Sequence, residues 1–377
     1  MTLVAHLADI HLGYRQYGLA EREQDIYESF EETVEKILEE HAKTVVISGD
    51  LFHSPRPPIR ALYVAKKCFE KLSTHGVRIF CVLGDHDIPR RIGEWNPVAF
   101  FKDWLLTHVN GQVVEFDQDG VKTVLAGLDK PPLVAVERAR QKLEEMSRKA
   151  SGLEGRKILI THVPLRGSAD DLSVDSLPSG FDYYALGHEH IRKVMKKSGG
   201  VAAYPGSIEI LSRDEIPVWT KDGKGFYLVD LTSPELEPTP IDLKHVRPQA
   251  VYEVHLSQPL TEILEWVSSQ SKKPIVHLNV KDSDVDAKKL REVIDLLRSH
   301  GCLEIRYRRA VAETVVSFEQ LLGRGQPAFD IEAIIKQSIS QAQLSQEETE
   351  LTVTIYKIFH NEGEQALKEY ILKRARK

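Results

Sequence analysis

Cysteine is scarce in this chain. The 377 residues hold three, Cys68, Cys81 and Cys302. Their number is odd and their spacing is not that of a metal site, so a reduced, intracellular setting fits better than a disulfide framework. No apolar run approaches the roughly 18 residues that a membrane span needs. The opening Met1–His6 lacks a basic stretch followed by a long apolar one, so no secretory leader is expected. Positive charge is not in excess: 50 Lys and Arg stand against 56 Asp and Glu, a net charge of −6. That balance argues against a non-specific nucleic-acid coat protein. It leaves room for a nuclease with a local basic groove and bound cations. There is no internal repeat and no low-complexity tract. No Gly-x-x-x-x-Gly-Lys-Ser/Thr loop occurs, so the chain does not read as an ATPase. What is present is ordinary globular composition, 42% apolar and 28% charged. The length suggests two or three domains and can bury a sizeable core without staples.

The first 230 residues alternate strand-like and helix-like segments. Leu3–Ala8, Thr44–Ser48, Val77–Leu83, Lys157–Thr161 and Tyr183–Leu186 read as strands. Between the first two, a helix is expected from about Asp25 to His41, with Ile26, Phe30, Val34 and Ile37 on one face. A second, from about Ile59 to His75, carries Leu62, Ala65, Phe69 and Leu72 at helical spacing. This alternation predicts a layered α/β domain over residues 1–232. The proline-rich Ser233-Pro-Glu-Leu-Glu-Pro-Thr-Pro240 reads as a stiff linker, taken as 233–249. Residues 250–322 read as a small α/β domain, strand, helix, strand, helix, strand. After a break near Gly323-Arg-Gly-Gln-Pro327, the tail over 323–377 is mostly helix-forming, with one apolar stripe at Ile331, Ile334, Ile335 and Ile339.

The chemistry sits where the expected strands end. Asp9-Ile10-His11 follows the first, Gly49-Asp50 the second and Gly84-Asp85-His86-Asp87 the third. Thr161-His162 closes the fourth, and Gly187-His188-Glu189-His190 follows the fifth. Carboxyl ends of strands form the usual crevice of an open α/β sheet. Mixed carboxylate and imidazole donors suit Mn, Fe or Zn better than Ca or Mg. In an extended segment residues two apart point the same way, so Asp9 and His11 converge, as do His188 and His190, while Glu189 points elsewhere. Asp50 can bridge two ions, a pair that polarises a phosphate and makes water nucleophilic at neutral pH. The glycines before Asp50, Asp85 and His188 allow sharp turns and close approach. Taken singly each signal is weak; five in order are not. Nine of the fifteen histidines, His6 and His277 among them, belong to no motif and read as surface or core residues.

This ordered set resembles the calcineurin-like metallophosphoesterases. Asp9-Ile-His-Leu-Gly-Tyr-Arg-Gln-Tyr17 is similar to the opening signature of the Mre-eleven break-repair nucleases, whose bacterial counterpart is SbcD. Gly49-Asp-Leu-Phe-His-Ser-Pro-Arg-Pro-Pro58, Tyr183-Tyr-Ala-Leu-Gly-His-Glu-His190 and Tyr204-Pro-Gly-Ser-Ile-Glu209 strengthen the resemblance. It implies an α/β/β/α metallophosphoesterase sandwich with a small capping domain and a helical tail. It implies that Asp9, His11, Asp50 and His190 bind one manganese ion, and Asp50, Asp85, His162 and His188 a second. His86 would contact the scissile phosphate, and His53 would help to place DNA. The family usually has asparagine where this chain has Asp85. The extra charge should tighten metal binding, weaken the ion as a Lewis acid and repel phosphate.

Arg15, Arg22, Arg56, Arg60, Arg90 and Arg91 cluster in sequence beside the first three motifs and could grip DNA phosphates. Arg306-Tyr-Arg-Arg309 is a second candidate rail. Leu62, Val64, Trp95, Phe100, Phe101, Trp104 and Leu105 are more apolar residues than one buried face needs. The resemblance points to a homodimer packed through helices near 59–75 and 95–108. It also makes the base of a Rad-fifty-type (SbcC-type) coiled-coil ATPase the expected partner of the tail helices. The expectation is therefore a cytoplasmic, DNA-associated, manganese-dependent nuclease. It would be a 3′-to-5′ exonuclease on duplex DNA and an endonuclease on single strands. Its rivals are a phosphatase or nucleotide phosphodiesterase with the same centre, or a DNA-end scaffold weakened by Asp85.

Overall fold

A computed structural model describes residues 1–309, apart from 90, 92, 103, 133–134, 167–171 and 283–284, together with residue 354. The tail expectations, and the end of the small domain at 322, lie outside the described residues. The first layer of elements comprises β1 (Leu3–Leu7), α1 (Ala20–Glu39), β2 (Thr44–Ser48), α2 (Ile59–Thr74), β3 (Arg78–Val82) and β4 (Thr107–His108). Then come β5 (Gln112–Gln118), β6 (Val121–Leu128), α3 (Val136–Ser151), β7 (Arg156–His162), β8 (Tyr183–Gly187), β9 (Lys193–Lys197) and β10 (Gly200–Tyr204). They are followed by α4 (Ile216–Asp222), β11 (Gly225–Asp230), β12 (Thr239–Asp242), β13 (Gln249–Val254), α5 (Thr261–Ser269), β14 (Ile275–Val280), α6 (Ala287–Ser299) and β15 (Glu304–Arg309).

Two six-stranded sheets face each other, in the orders β12-β11-β1-β2-β3-β4 and β5-β6-β7-β8-β10-β9. Strand periodicity sorts their residues into layers. Val4 and Val46 point inward and meet Leu125, Ile158 and Ile160 of the opposite sheet. Their neighbours Ala5, Val45 and Ile47 point outward, under Ile26, Phe30 and Phe69 of α1 and α2. On the far side α3 covers Val124, Leu159 and Tyr184 with Leu143 and Met146. The result is an α/β/β/α sandwich in which every residue of β2 is buried. Such strands read as continuous apolar runs.

Several boundaries differ from the sequence reading. Helix α1 begins at Ala20, not Asp25. Its first turn carries Glu21 and Glu23, which suit the helix N-terminus, but no apolar stripe. Part of the expected linker, residues 239–242, forms β12 and pairs antiparallel with β11. Pro240 is tolerated there because β12 is an edge strand. Within 95–108 the structure has a 3-10 turn at Pro97–Phe100 and the short β4 in place of a long helix.

The parallel sheet β13-β14-β15, with α5 and α6 packed on it, has its own apolar core. A buried ionic clamp ties it to the sandwich. Arg22, expected on a DNA-facing surface, is fully buried instead. It donates to Asp25 (2.7 Å), Gln16 (2.8 Å) and the Ile210 carbonyl (2.8 Å). Arg247, just before β13, donates to both Asp25 oxygens and to the Lys273 carbonyl. Glu209 adds the second negative charge, 3.4 Å from Arg22 and accepting from the Arg247 amide. Removing one partner leaves uncompensated buried charge, so Asp25→Ala should cost about 3 kcal/mol in chemical denaturation. A loss below 1 kcal/mol would show that the clamp is not a stabilising contact.

His6 is a satisfied core residue, bonded to Tyr183 Oη (2.8 Å) and Ser48 Oγ (3.0 Å). Burial pushes its pKa down to about 3. The unfolded chain therefore binds a proton near pH 6.5 that the folded chain refuses. This contribution to stability is full above that pH and is lost on acidification, by about 1.4 kcal/mol per pH unit. His6→Gln should flatten the fall in unfolding free energy between pH 6.5 and 5; an unchanged slope would contradict the assignment.

Candidate metal centre

The five motifs meet at one end of the sandwich, but the crevice is not that of a single sheet. Strands β1, β2 and β3 deliver Asp9, His11, Asp50 and Asp85 from one sheet; β7 and β8 deliver His162, His188 and His190 from the other. The donor atoms of the expected ligands form three overlapping groups, Asp9, His11 and His190; Asp9, Asp50 and His162; and Asp85, His162 and His188, and His11 forms a fourth with His53 and His86. Within each, one ligand atom per residue lies within 4.8 Å of the others. Asp50 stands between them, its Oδ2 3.7 Å from His11 Nε2 and 3.5 Å from His162 Nε2. All seven expected ligands are thus brought together.

The local reason differs from the expected one. The Asp9–His11 segment is not extended: Asp9 and His11 both have φ of 51°, Asp50 has 50° and His188 102°. Left-handed conformations of this kind are costly for residues with a Cβ and gather at functional sites. Hydrogen bonds hold them. Asp9 N donates to the Gly49 carbonyl (3.1 Å), His11 N to the Asp50 carbonyl (2.9 Å) and His188 N to the Asp9 carboxylate (3.0 Å). All three glycines before Asp50, Asp85 and His188 are sterically required: Gly49, at positive φ, has the His162 ring where a Cβ would sit. A Cβ at Gly84 would fall on the Asp50 carboxylate, and one at Gly187 on the Ser48 carbonyl. Glu189 turns away to accept from Leu165 N at 2.8 Å.

The donors fit a divalent cation. His162 Nδ1 is taken by the Ser48 carbonyl at 2.9 Å, which turns Nε2 into the cluster. That buried Nε2 has no hydrogen-bond partner among the described residues and faces Asp50 and Asp85 at 3.5 and 3.6 Å. Burial raises the Asp9 carboxyl above its ordinary range, against the pull of His162 and His190. Burial, then His190 and His86, hold the His11 imidazole well below its usual value. A cation among them would favour the deprotonated carboxylate and the neutral imidazole together. At Asp85 burial acts upward, but the His188 hydrogen bond, His162 and Lys130 outweigh it and lower the pKa.

An open cleft of about 550 Å³ leads to the cluster, lined by Asp50, Asp85, His86, Lys130, His188 and His190 among others. His86 is exposed at its mouth, Nδ1 3.0 Å from the His53 carbonyl. His53 stacks on His86 (4.8 Å, 25°) and on Tyr14 (4.0 Å), with Nδ1 3.3 Å from His11 Nδ1. Burial and then His86 push His53 down to about 4. Arg56 and Arg91 line an adjoining cleft of about 510 Å³ with His53 and His86, Arg56 being paired with Glu94. Arg15 is exposed on the loop after β1. Arg60 departs from the group: it lies 5.1 Å from the Tyr27 ring, bonded to Gln24. Arg90 lies outside the described residues.

The sequence reading missed three charged residues here. Asp87, quoted only as part of a motif, is buried and accepts from Leu51 N, Phe52 N and Gly84 N, tying the loops after β2 and β3 together. Lys130, after β6, supplies positive charge opposite Asp85; no motif marked it because β6 itself went unread. Glu215 sits behind His190 and had no sequence signal beyond the Ser212–Glu215 capping box. Burial acts upward on its carboxyl, but Lys224 and His190 bring it to about 2.

Residues 2–192 match the family model described as calcineurin-like phosphoesterase. That class is what the sandwich and its donor cluster define. The "DNA double-strand break repair protein Mre11" of Methanocaldococcus jannaschii is 35% identical over 287 residues, 74% of this chain and 76% of that protein. The protein of the same name from Saccharolobus solfataricus is 33% identical over 295 residues, covering 74% and 75%. That from Methanopyrus kandleri is 30% identical over 360 residues, 90% of this chain and 77% of the relative. The chain belongs to the Mre11 family of calcineurin-like phosphoesterases.

Asp85 makes the donor set more anionic than an asparagine would. Asp85→Asn should weaken manganese affinity by roughly tenfold in titration calorimetry, since ligand charge tunes cation affinity over decades. Equal affinity in the two proteins would remove Asp85 from the ligand set.

Proposed function

We propose that this chain is a manganese-dependent nuclease that processes DNA ends in double-strand-break repair. The observation that carries the reading is the convergence of seven carboxylate and imidazole donors, Asp50 at their centre, with the buried His162 Nε2 making no hydrogen bond among the described residues. The relatives' names supply the substrate class: each is a DNA double-strand break repair protein. Asp9, His11, Asp50 and His190 would hold one Mn(2+), and Asp50, Asp85, His162 and His188 the other. When bound, such a pair supplies Lewis acidity toward a phosphoryl oxygen and a lowered pKa for water.

The chain's own residues do the rest. Asp50, accepting from His86 N at 2.8 Å, fixes the loop that carries His86. The His86 ring, anchored through Nδ1 to the His53 carbonyl, presents Nε2 to the scissile phosphate and the departing oxygen. His53 stacks on this ring and is itself backed by Tyr14. Lys130 offsets the Asp85 charge that would otherwise repel the phosphate diester. Arg56 and Arg91, which line the adjoining cleft, and the exposed Arg15 would contact the DNA backbone rather than its bases. The reaction is read as 3′-to-5′ exonuclease on duplex DNA and endonuclease on single strands.

The dimer reading is supported by exposed apolar residues in the region expected for it. Ile59 is 85% exposed and Trp95 83%, with Tyr63, Phe100 and Trp104 also exposed. Val64, Phe101 and Leu105, grouped with them in the sequence reading, are core residues instead. The expected Rad-fifty-type ATPase would bind the tail, and the protein would work on DNA inside the cell. Among the described residues no helix is long and apolar enough to cross a membrane.

The test is hydrolysis of labelled duplex and single-stranded DNA with and without manganese, in the native chain and in His86→Ser. Cleavage that requires manganese, and falls at least a hundredfold in His86→Ser with metal affinity retained, is expected. Strong monoester turnover with no DNA cleavage would replace this reading with a phosphatase. No hydrolysis with manganese, magnesium or cobalt would leave a DNA-binding scaffold.

A further inference from the structure

Behind His190, on the side away from the cleft, lies a buried ion pair that the phosphoester chemistry does not use. Glu215 Oε1 is 3.1 Å from His190 Nδ1. Its Oε2 is paired with Lys224 Nζ and accepts from Ser207 Oγ at 3.0 Å. Lys224 Nζ also donates to the His190 carbonyl (2.6 Å) and to Ser207 Oγ (2.7 Å). Glu215 is 2% exposed and Lys224 4%. One buried pair therefore grips both the ring and the main chain of His190. A buried ion pair is weak evidence of stabilisation, since apolar residues of similar size often serve as well. Its placement against a donor imidazole gives it another use.

An ionised carboxylate only accepts hydrogen bonds, so His190 must carry its proton on Nδ1. Nε2 points into the cluster, 3.3 Å from His11 Nε2 and 4.0 Å from Asp9 Oδ1, and in the neutral ring it offers its lone pair there. His162 obtains the same polarity from a neutral partner, the Ser48 carbonyl. A carboxylate behind the ring fixes the tautomer and makes the ring a stronger donor than a carbonyl does. We propose that Glu215, held by Lys224 and Ser207, is a positioning residue that sets the tautomer and orientation of His190 and so strengthens one of the two cation sites over the other. This rests on the dimetal reading above. The competing role is purely local: Glu215 also accepts from Ser212 N at 2.8 Å and closes a capping box at the start of the turn before α4.

The experiment is calorimetric titration of the full chain with manganese alone, for the native protein, His190→Ala, Glu215→Gln and the double variant. Imidazole nitrogen spectra of the metal-free native and Glu215→Gln proteins accompany it. The native chain should show two binding events. Glu215→Gln should weaken one of them by roughly 10- to 100-fold and leave the other within about twofold. The double variant should bind no more weakly than His190→Ala, and the His190 nitrogens should move from a pure Nδ1-protonated pattern to a mixture. Native affinity at both sites in Glu215→Gln, or an equal further loss on top of His190→Ala, overturns the proposal. So does a lowered melting temperature with unchanged affinities, which assigns Glu215 to the capping box. If Glu215→Gln does not fold, Glu215→Gln/Lys224→Met, which removes both buried charges together, takes its place with the same outcomes. A native chain without two manganese events, or a His190→Ala chain that keeps both, overturns the dimetal reading and this inference with it.

Discussion

The structure depends on holding like-polarity donors against one another at the ends of two sheets. Buried carboxylates and imidazoles around Asp50 would move apart in a flexible chain, because burial penalises every charged form. Strand registers prevent it. Parallel pairing of β1 with β2 and of β2 with β3 brings Asp9, Asp50 and Asp85 to one level, and β7 with β8 does the same for His162 and His188. The inward apolar faces of the two sheets then fix the distance between the levels. Left-handed backbone at Asp9, His11, Asp50 and His188 is the local cost, of order 1–3 kcal/mol each. Only a large packed core can carry strain of that size.

Charge is balanced in shells around this point. Asp87 is clasped by three amides and binds two loops into one unit. Lys130 faces Asp85, and Lys224 faces Glu215 behind His190. Further out, Arg22 and Arg247 answer Asp25 and Glu209 where the small sheet meets the sandwich. The Glu215–Lys224 pair and the Arg22, Asp25, Glu209 and Arg247 group are buried, and that group joins segments far apart in the chain. The polar network thus fixes relative placement, while the apolar layers supply most of the favourable burial.

Legibility in the sequence followed burial only in part, since β6 and β11 are largely buried and still went unread. Strand β2 is buried throughout, and its apolar run, TVVIS, was read without error. The hairpins β5–β6 and β9–β10 were missed, because β5 and β9 are half-exposed and mix polar with apolar residues. Their turns carried the overlooked signal: Asp119-Gly120 and Ser198-Gly199 both take positive φ, as tight hairpins require. Helix α3 had a regular stripe at Val136, Ala139, Leu143, Met146 and Ala150 that was passed over. Arg22 was misread because a charged residue in a polar stretch gives no sign that partners from residues 209 and 247 will enclose it.

The sequence alone determined which residue types stand at five strand ends, and in what order. Order and type are properties of the chain, so they named the donors and the family resemblance without coordinates. Only the tertiary structure decided that two sheets, not one, supply those donors, that the backbone turns left-handed to aim them, and that Glu215, Lys130 and Asp87 stand behind them. These are relations between segments far apart in sequence, and a linear pattern carries no distance across them.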